Sequence, residues 1–248
     1  MRVFRTTIAA ATTAMALGGA ARAAHAQQAS PRADSDVSAL PLHIVASKSS
    51  PPVALAVVLT GDGGWAAIDR RIADDLAAHG VSVVGLDSRA YLMHGRTPDE
   101  AAADVARIIR RYSAQWSPPR TAVIGYSRGA DIAPFIVNRL PADLRLSLSL
   151  VALLGPAERA DFQFHWADLL SETSKASDRP ILPELERLRG TTVLCVYGQD
   201  EKESLCRLAD TSAVQVDRRT GRHHFDGDYE AIAGEILHLL TPQDALRR

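Results

Sequence analysis

The stretch TAVIGYSRGAD, residues 121–131, is apolar up to Tyr126 and then stops at a serine set between two glycines. A turn needs no serine, and a strand needs no glycine at every second position. Both are explained if residues 121–126 form a buried strand, a helix begins after Ser127, and the tight junction lifts the serine hydroxyl above the sheet. Gly125 and Gly129 then let the strand and helix backbones approach closely. On this reading Ser127 is a nucleophile.

The flanking sequence supports that placement. VALAVVLT (53–60), VSVVGLD (81–87), LSLSLVALLG (146–155) and TTVLCVYG (191–198) are continuous apolar runs, as buried parallel strands should be. AVQVD (213–217) is a weaker strand, and LHIVAS (42–47) is a candidate antiparallel edge strand. Helical patterns alternate with them at DRRIADDLAAHG, PDEAAADVARIIRRYSAQW, RGADIAPFIVNRL and DYEAIAGEILHLL. Pro134 inside the third predicts a kink or a late start. The fold class is therefore α/β, a mostly parallel sheet with helices on both faces. Residues 155–190 break the rhythm and read as a small cap insertion over a site.

A serine nucleophile needs a base, and the base needs an orienting acid, in the order Ser, acid, His for an α/β-hydrolase fold. Downstream, YGQDE follows a strand, so Asp200 leads as the acid and Glu201 is the alternative. GRHHFDGDY follows the last strand; His223 fits the H-x-F pattern as the base, with His224 its neighbour. A metal-binding His/Asp cluster or a polar helix cap are the other readings of HHFDGD. Oxyanion donors are expected from the backbone of Arg128 and from Gly61 and Asp62 in TGDGGW; the other reading of that loop is a simple glycine turn with Trp65 packed as core. Asp87 is read equally as facing the cleft or capping the next turn. His94 and Arg96 read as surface loop, and Asp161, His165 and Trp166 as cap residues.

The first 26 residues carry Arg2 and Arg5, then an Ala/Thr/Leu/Gly run ending in Ala24-His25-Ala26. That is the form of a signal peptide cut after Ala26, too weakly apolar to anchor the chain. Its three arginines and no acids take the net charge from −1 to −4. An acidic chain gives no case for nucleic acid or for a polybasic attachment to lipid. Residues 27–50 are expected to be a flexible lead-in, and 51–248 one domain. Cys195 and Cys206 are the two cysteines. In an exported chain such a pair reads as a disulfide, and neither a metal site nor an organic cofactor is expected.

LTGDGGW, IGYSRGADIAPFIVNRLP, ADFQFHW, VLCVYGQDEKESLC and HHFDGDY, in this order, resemble the VirJ/AcvB family of exported bacterial α/β-hydrolase proteins. The resemblance covers about residues 53–240. It implies a periplasmic serine hydrolase acting on aminoacyl-phosphatidylglycerol, lysyl or alanyl, to release the amino acid. Ser127 and the His223–His224 motif take over the family's roles, and the acid falls on the Asp200–Glu201 pair. Asp62, Asp131 and Asp161 are candidates to meet the substrate's amine, with a lipid at the membrane surface as the partner and a monomer as the expected state. Two alternatives stand beside this reading: an adaptor associated with virulence or type IV secretion on a hydrolase fold, meeting secretion-system proteins, and an esterase or thioesterase for a soluble substrate.

Overall fold

The computed structural model describes residues 36–164 and 178–241. The expected signal peptide, His165, Trp166 and most of the cap insertion lie outside these residues. Nine strands are found among those described: β1 (Leu42–Val45), β2 (Ala54–Leu59), β3 (Val81–Leu86), β4 (Thr121–Tyr126), β5 (Leu148–Leu154), β6 (Arg159–Ala160), β7 (Arg179–Pro180), β8 (Val193–Gly198) and β9 (Gln215–Arg219). The helices are α1 (Ala67–Ala78), α2 (Ser88–Leu92), α3 (Pro98–Trp116), α4 (Arg128–Arg139), α5 (Ala142–Ser147), α6 (Leu182–Glu186) and α7 (Tyr229–Leu240).

Seven strands make the main sheet in the order β1-β3-β2-β4-β5-β8-β9. All neighbours are parallel except β1, which pairs antiparallel with β3. Leu42–Val45 thus belong to the sheet, and within the segment expected over 27–50 as a flexible lead-in Val37 and Leu40 pack against the core. From β2 the chain moves outward to β3 on one side and then returns to β4 on the other. This reversal marks the carboxyl ends of β2 and β4 as the place where ligands bind in open α/β sheets.

Strand alternation sends side chains to two cores. Leu55, Val57 and Leu59 of β2 pack with Ile108 and Ile109 of α3 and Ile132 and Ile136 of α4. Ala54, Ala56 and Val58 face the other way, towards Ile72 of α1 and Ile236 of α7. Every residue of β2, β3, β4 and β8 is buried, which is why these strands read as unbroken apolar runs. α3 has its expected start: the Thr97 and Glu100 side chains each accept the other's backbone N–H, and Pro98 stands at the first position.

Three expectations shift. α4 starts at Arg128, with no late start, because the elbow at Ser127 delivers the chain straight into its first turn and Pro134 lies beyond it. Ala213 and Val214 belong to a turn closed on the Asp210 carbonyl, so β9 begins at Gln215. Residues 146 and 147 finish the helix α5, so β5 begins at Leu148. The inserted segment carries the short β6–β7 ribbon, which pairs residues 159–160 with 179–180.

Candidate active site

Ser127 occupies the junction of β4 and α4 with φ 53° and ψ −123°, a conformation L-residues rarely adopt. Its N–H donates to the Leu154 carbonyl at 2.8 Å. The flanking glycines are required by contact: a Cβ on Gly129 would fall on the Leu59 carbonyl, and one on Gly125 on the Gly129 carbonyl. Helix α4 is pressed this closely onto β2 and β4 because nothing projects between them.

His223 stands beside the carboxyl end of β5. A Cβ on Gly155 would lie 2.9 Å from its Cε1, and its ring centroid is 5.3 Å from that of Tyr126. Both Ser127 and His223 therefore flank the Leu154–Gly155 step. The His223 Nδ1 is 2.7 Å from Glu201 Oε1, and Glu201 Oε2 accepts the Gly198 N–H at 2.7 Å. Burial raises the Glu201 pKa, but the hydrogen bonds from His223 and Gly198 outweigh it, leaving the carboxyl below its ordinary value. Glu201 is thus an anion suited to accept the Nδ1 proton and leave Nε2 as the base.

Glu201, rather than Asp200, is the acid beside His223. The Glu201 N–H bonds the Gly198 carbonyl, closing a tight turn that folds Glu201 back over the strand end. Asp200, at the turn's outer corner, is exposed. His224 turns the other way, its Nδ1 3.0 Å from the Tyr126 hydroxyl. Tyr126, raised in pKa chiefly by burial, remains a phenol, and it also donates to the His223 carbonyl at 3.4 Å. His224 and Tyr126 thereby hold the histidine loop to β4. The rest of the motif is spent on structure: Phe225 is fully buried and Asp228 pairs with Arg219.

The loop after β2 approaches Ser127: a Cβ on Gly61 would be 3.0 Å from the Ser127 Cβ. Among the described residues the N–H groups of Gly61 and Asp62 donate to no backbone carbonyl. The first N–H groups of α4, beginning with that of Arg128, have no intrahelical acceptor. The two segments expected to supply oxyanion donors, the loop after β2 and the start of α4, therefore both lie beside Ser127. Trp65 stacks on His43 at 5.0 Å with rings 5° apart and lies across Gly85, which anchors the far end of the loop. Asp87 is a cap, accepting the Ala90 N–H at 2.9 Å.

The acids suggested for the substrate's amine have local partners. Asp62 forms a two-pronged pair with Arg128. Asp131 accepts the Ala157 N–H at 2.7 Å and is pushed up to about 7, burial outweighing that bond and the nearby Arg128. Asp161 accepts the Gln163 N–H at 3.0 Å. All three carboxylates surround the one guanidinium; burial works against the Arg128 charge, and they more than restore it. The Cys195–Cys206 disulfide is present, with Cα atoms 5.5 Å apart, and closes the loop that carries Glu201.

The family model for bacterial virulence protein (VirJ) matches residues 53–244. The chain belongs to the VirJ family. A search of curated proteins found no match. Solved structures similar to this VirJ-family chain include a lipase-esterase related protein from Clostridium acetobutylicum, at 18% identity over 81% of this chain and 99% of that one, with a TM-score of 0.56. Est1E from Butyrivibrio proteoclasticus, solved with ferulic acid bound, is 14% identical over 81% and 95% of the two chains, TM-score 0.58. A putative dienelactone hydrolase from Klebsiella pneumoniae is 13% identical over 81% and 92%, TM-score 0.58. The VirJ-family chain therefore has the α/β-hydrolase fold.

Two features of the site were beyond reach of the sequence. Tyr126 gave no hint of holding the histidine loop, since its partners lie 97 and 98 residues away. The Arg128–Asp62 pair, 66 residues apart, was equally invisible.

Proposed function

We propose that this VirJ-family chain is a serine hydrolase that, after export to the periplasm, cleaves the aminoacyl ester of aminoacyl-phosphatidylglycerol. The observation that carries the reading is the His223–Glu201 hydrogen bond, set across one residue step from a serine in a strained elbow. In the reaction the Ser127 Oγ attacks the ester carbonyl while His223 Nε2 takes its proton, and Glu201 stabilises the imidazolium. The backbone amides at Gly61, Asp62 and Arg128 hold the oxyanion. Collapse expels the glycerol oxygen of phosphatidylglycerol, which takes the proton from His223. Water, deprotonated in turn by His223, then hydrolyses the aminoacyl-serine, releasing the amino acid and regenerating Ser127.

The substrate rests on the family resemblance and on charge. Asp62 offsets the Arg128 charge, and Asp161 with the partly ionised Asp131 beside them leaves this end of the sheet with an acidic surplus, which favours an acyl group bearing an ammonium over a carboxylate-bearing one. The disulfide agrees with an oxidising compartment.

The test is to incubate the chain from Gln27 with lysyl- and alanyl-phosphatidylglycerol in detergent micelles and measure free amino acid. Release by the wild type and none by Ser127→Ala is expected. A folded wild type that releases neither amino acid rejects the lipid substrate. It would turn attention to soluble esters and to the adaptor role.

A further inference from the structure

Building on the serine-hydrolase reading, we infer that Arg128 is a positioning residue whose side chain locks the oxyanion loop to the nucleophile. The residue after a nucleophilic serine is asked only for its backbone N–H. Here its side chain, 10% exposed, reaches back over the site. Its Nε and Nη2 donate to the two oxygens of Asp62, the latter at 3.1 Å, and its Nη1 donates to the Asp161 carbonyl at 3.2 Å.

Asp62 is itself one of the loop residues whose amide the hydrolase reading assigns to the oxyanion. A single ion pair therefore ties together the two segments that supply the oxyanion donors, the Arg128 end from α4 and the Gly61–Asp62 end from the loop after β2. The bond to Asp161 adds the first residues of the insertion to the same strut.

The loop needs such a strut. Gly61, Gly63 and Gly64 give its backbone wide freedom, and Gly64 sits at φ 66°. Trp65 anchors the far end of the loop, and beside Ser127 the Asp62 side chain ties the loop to α4 through Arg128. A guanidinium fork meeting a carboxylate edge-on fixes both distance and rotation, which a single ammonium cannot do. Because Asp62 occupies the fork, the Arg128–Asp62 pair holds the catalytic geometry and does not read the substrate's charge.

The experiment compares Arg128→Met, Arg128→Lys, Asp62→Asn and the Arg128→Met/Asp62→Asn double variant on two esters, p-nitrophenyl acetate and lysyl-phosphatidylglycerol. Thermal melts confirm that each variant folds; Arg128→Lys and Asp62→Asn are the milder changes should Arg128→Met not fold. Loss of oxyanion donors sets the expected scale, a fall in kcat of about 10²-fold with KM within about twofold. The fall should be equal on the neutral and the cationic acyl group, Arg128→Lys should not rescue it, and the double variant should be no worse than either single one.

Three results would overturn the strut. These are a folded Arg128→Met that keeps its kcat, a loss confined to the lysyl lipid, or full rescue by lysine. A wild type inert on both esters rejects the hydrolase reading itself, an outcome distinct from an active wild type matched by its Arg128 variants.

Discussion

At the scale of single residues, the choice between Asp200 and Glu201 decides what His223 can do. The two side chains are neighbours in the sequence, yet the Gly198–Glu201 turn sends one to solvent and the other to the imidazole. Glu201→Gln would offer an amide in place of the carboxylate and disfavour the productive tautomer. Its kcat should fall on the order of 10³–10⁴-fold, whereas Asp200→Asn should stay within about twofold, as exposed substitutions usually do. Steady-state kinetics on any accepted ester reads both. The lowered Glu201 pKa also makes its bond with His223 a stabilising contact above the ordinary carboxylate pKa. That contribution is lost as pH falls through the lower, folded-state value.

At the scale of elements, the disulfide ties down the loop that carries Glu201. Cys195 lies within β8 and Cys206 in a short 3-10 turn, so the bond spans the 199–204 loop with Glu201 inside it. Replacing both cysteines by serine should cost about 2–3 kcal/mol in urea unfolding, the range for a loop of this length. It should also lower kcat more than it changes KM, because Glu201 loses its tether. An unchanged kcat would mean that the Gly198 and His223 bonds hold the loop alone. The cysteine pairing was legible from the close spacing and the expected export. So were α3 and β4, whose signals are local: Thr97, Pro98 and Glu100 mark the start of one, and an unbroken apolar run marks the other. β9 was displaced by two residues because the Asp210 turn captures Ala213 and Val214, an effect of hydrogen bonds that no periodicity records.

At the scale of the whole molecule, the strand order places the loops after β2 and β4 side by side at a topological reversal, and the loops after β8 and β9 bring Glu201 and His223 to the same end. Alternating apolar runs were enough to read the α/β architecture and to put Ser127 at a strand's carboxyl end. They could not show which acid the last loops would select, or that Arg128 would grip Asp62, because those contacts join segments far apart in the chain. The central claim is that this assembly activates Ser127. The most direct measurement is to treat the folded protein with a fluorophosphonate and map the adduct by peptide mass spectrometry. The account predicts one adduct on the peptide containing Ser127, none in Ser127→Ala, and much slower labelling in His223→Ala. A folded wild type that takes no adduct, or takes it on another serine, would contradict it.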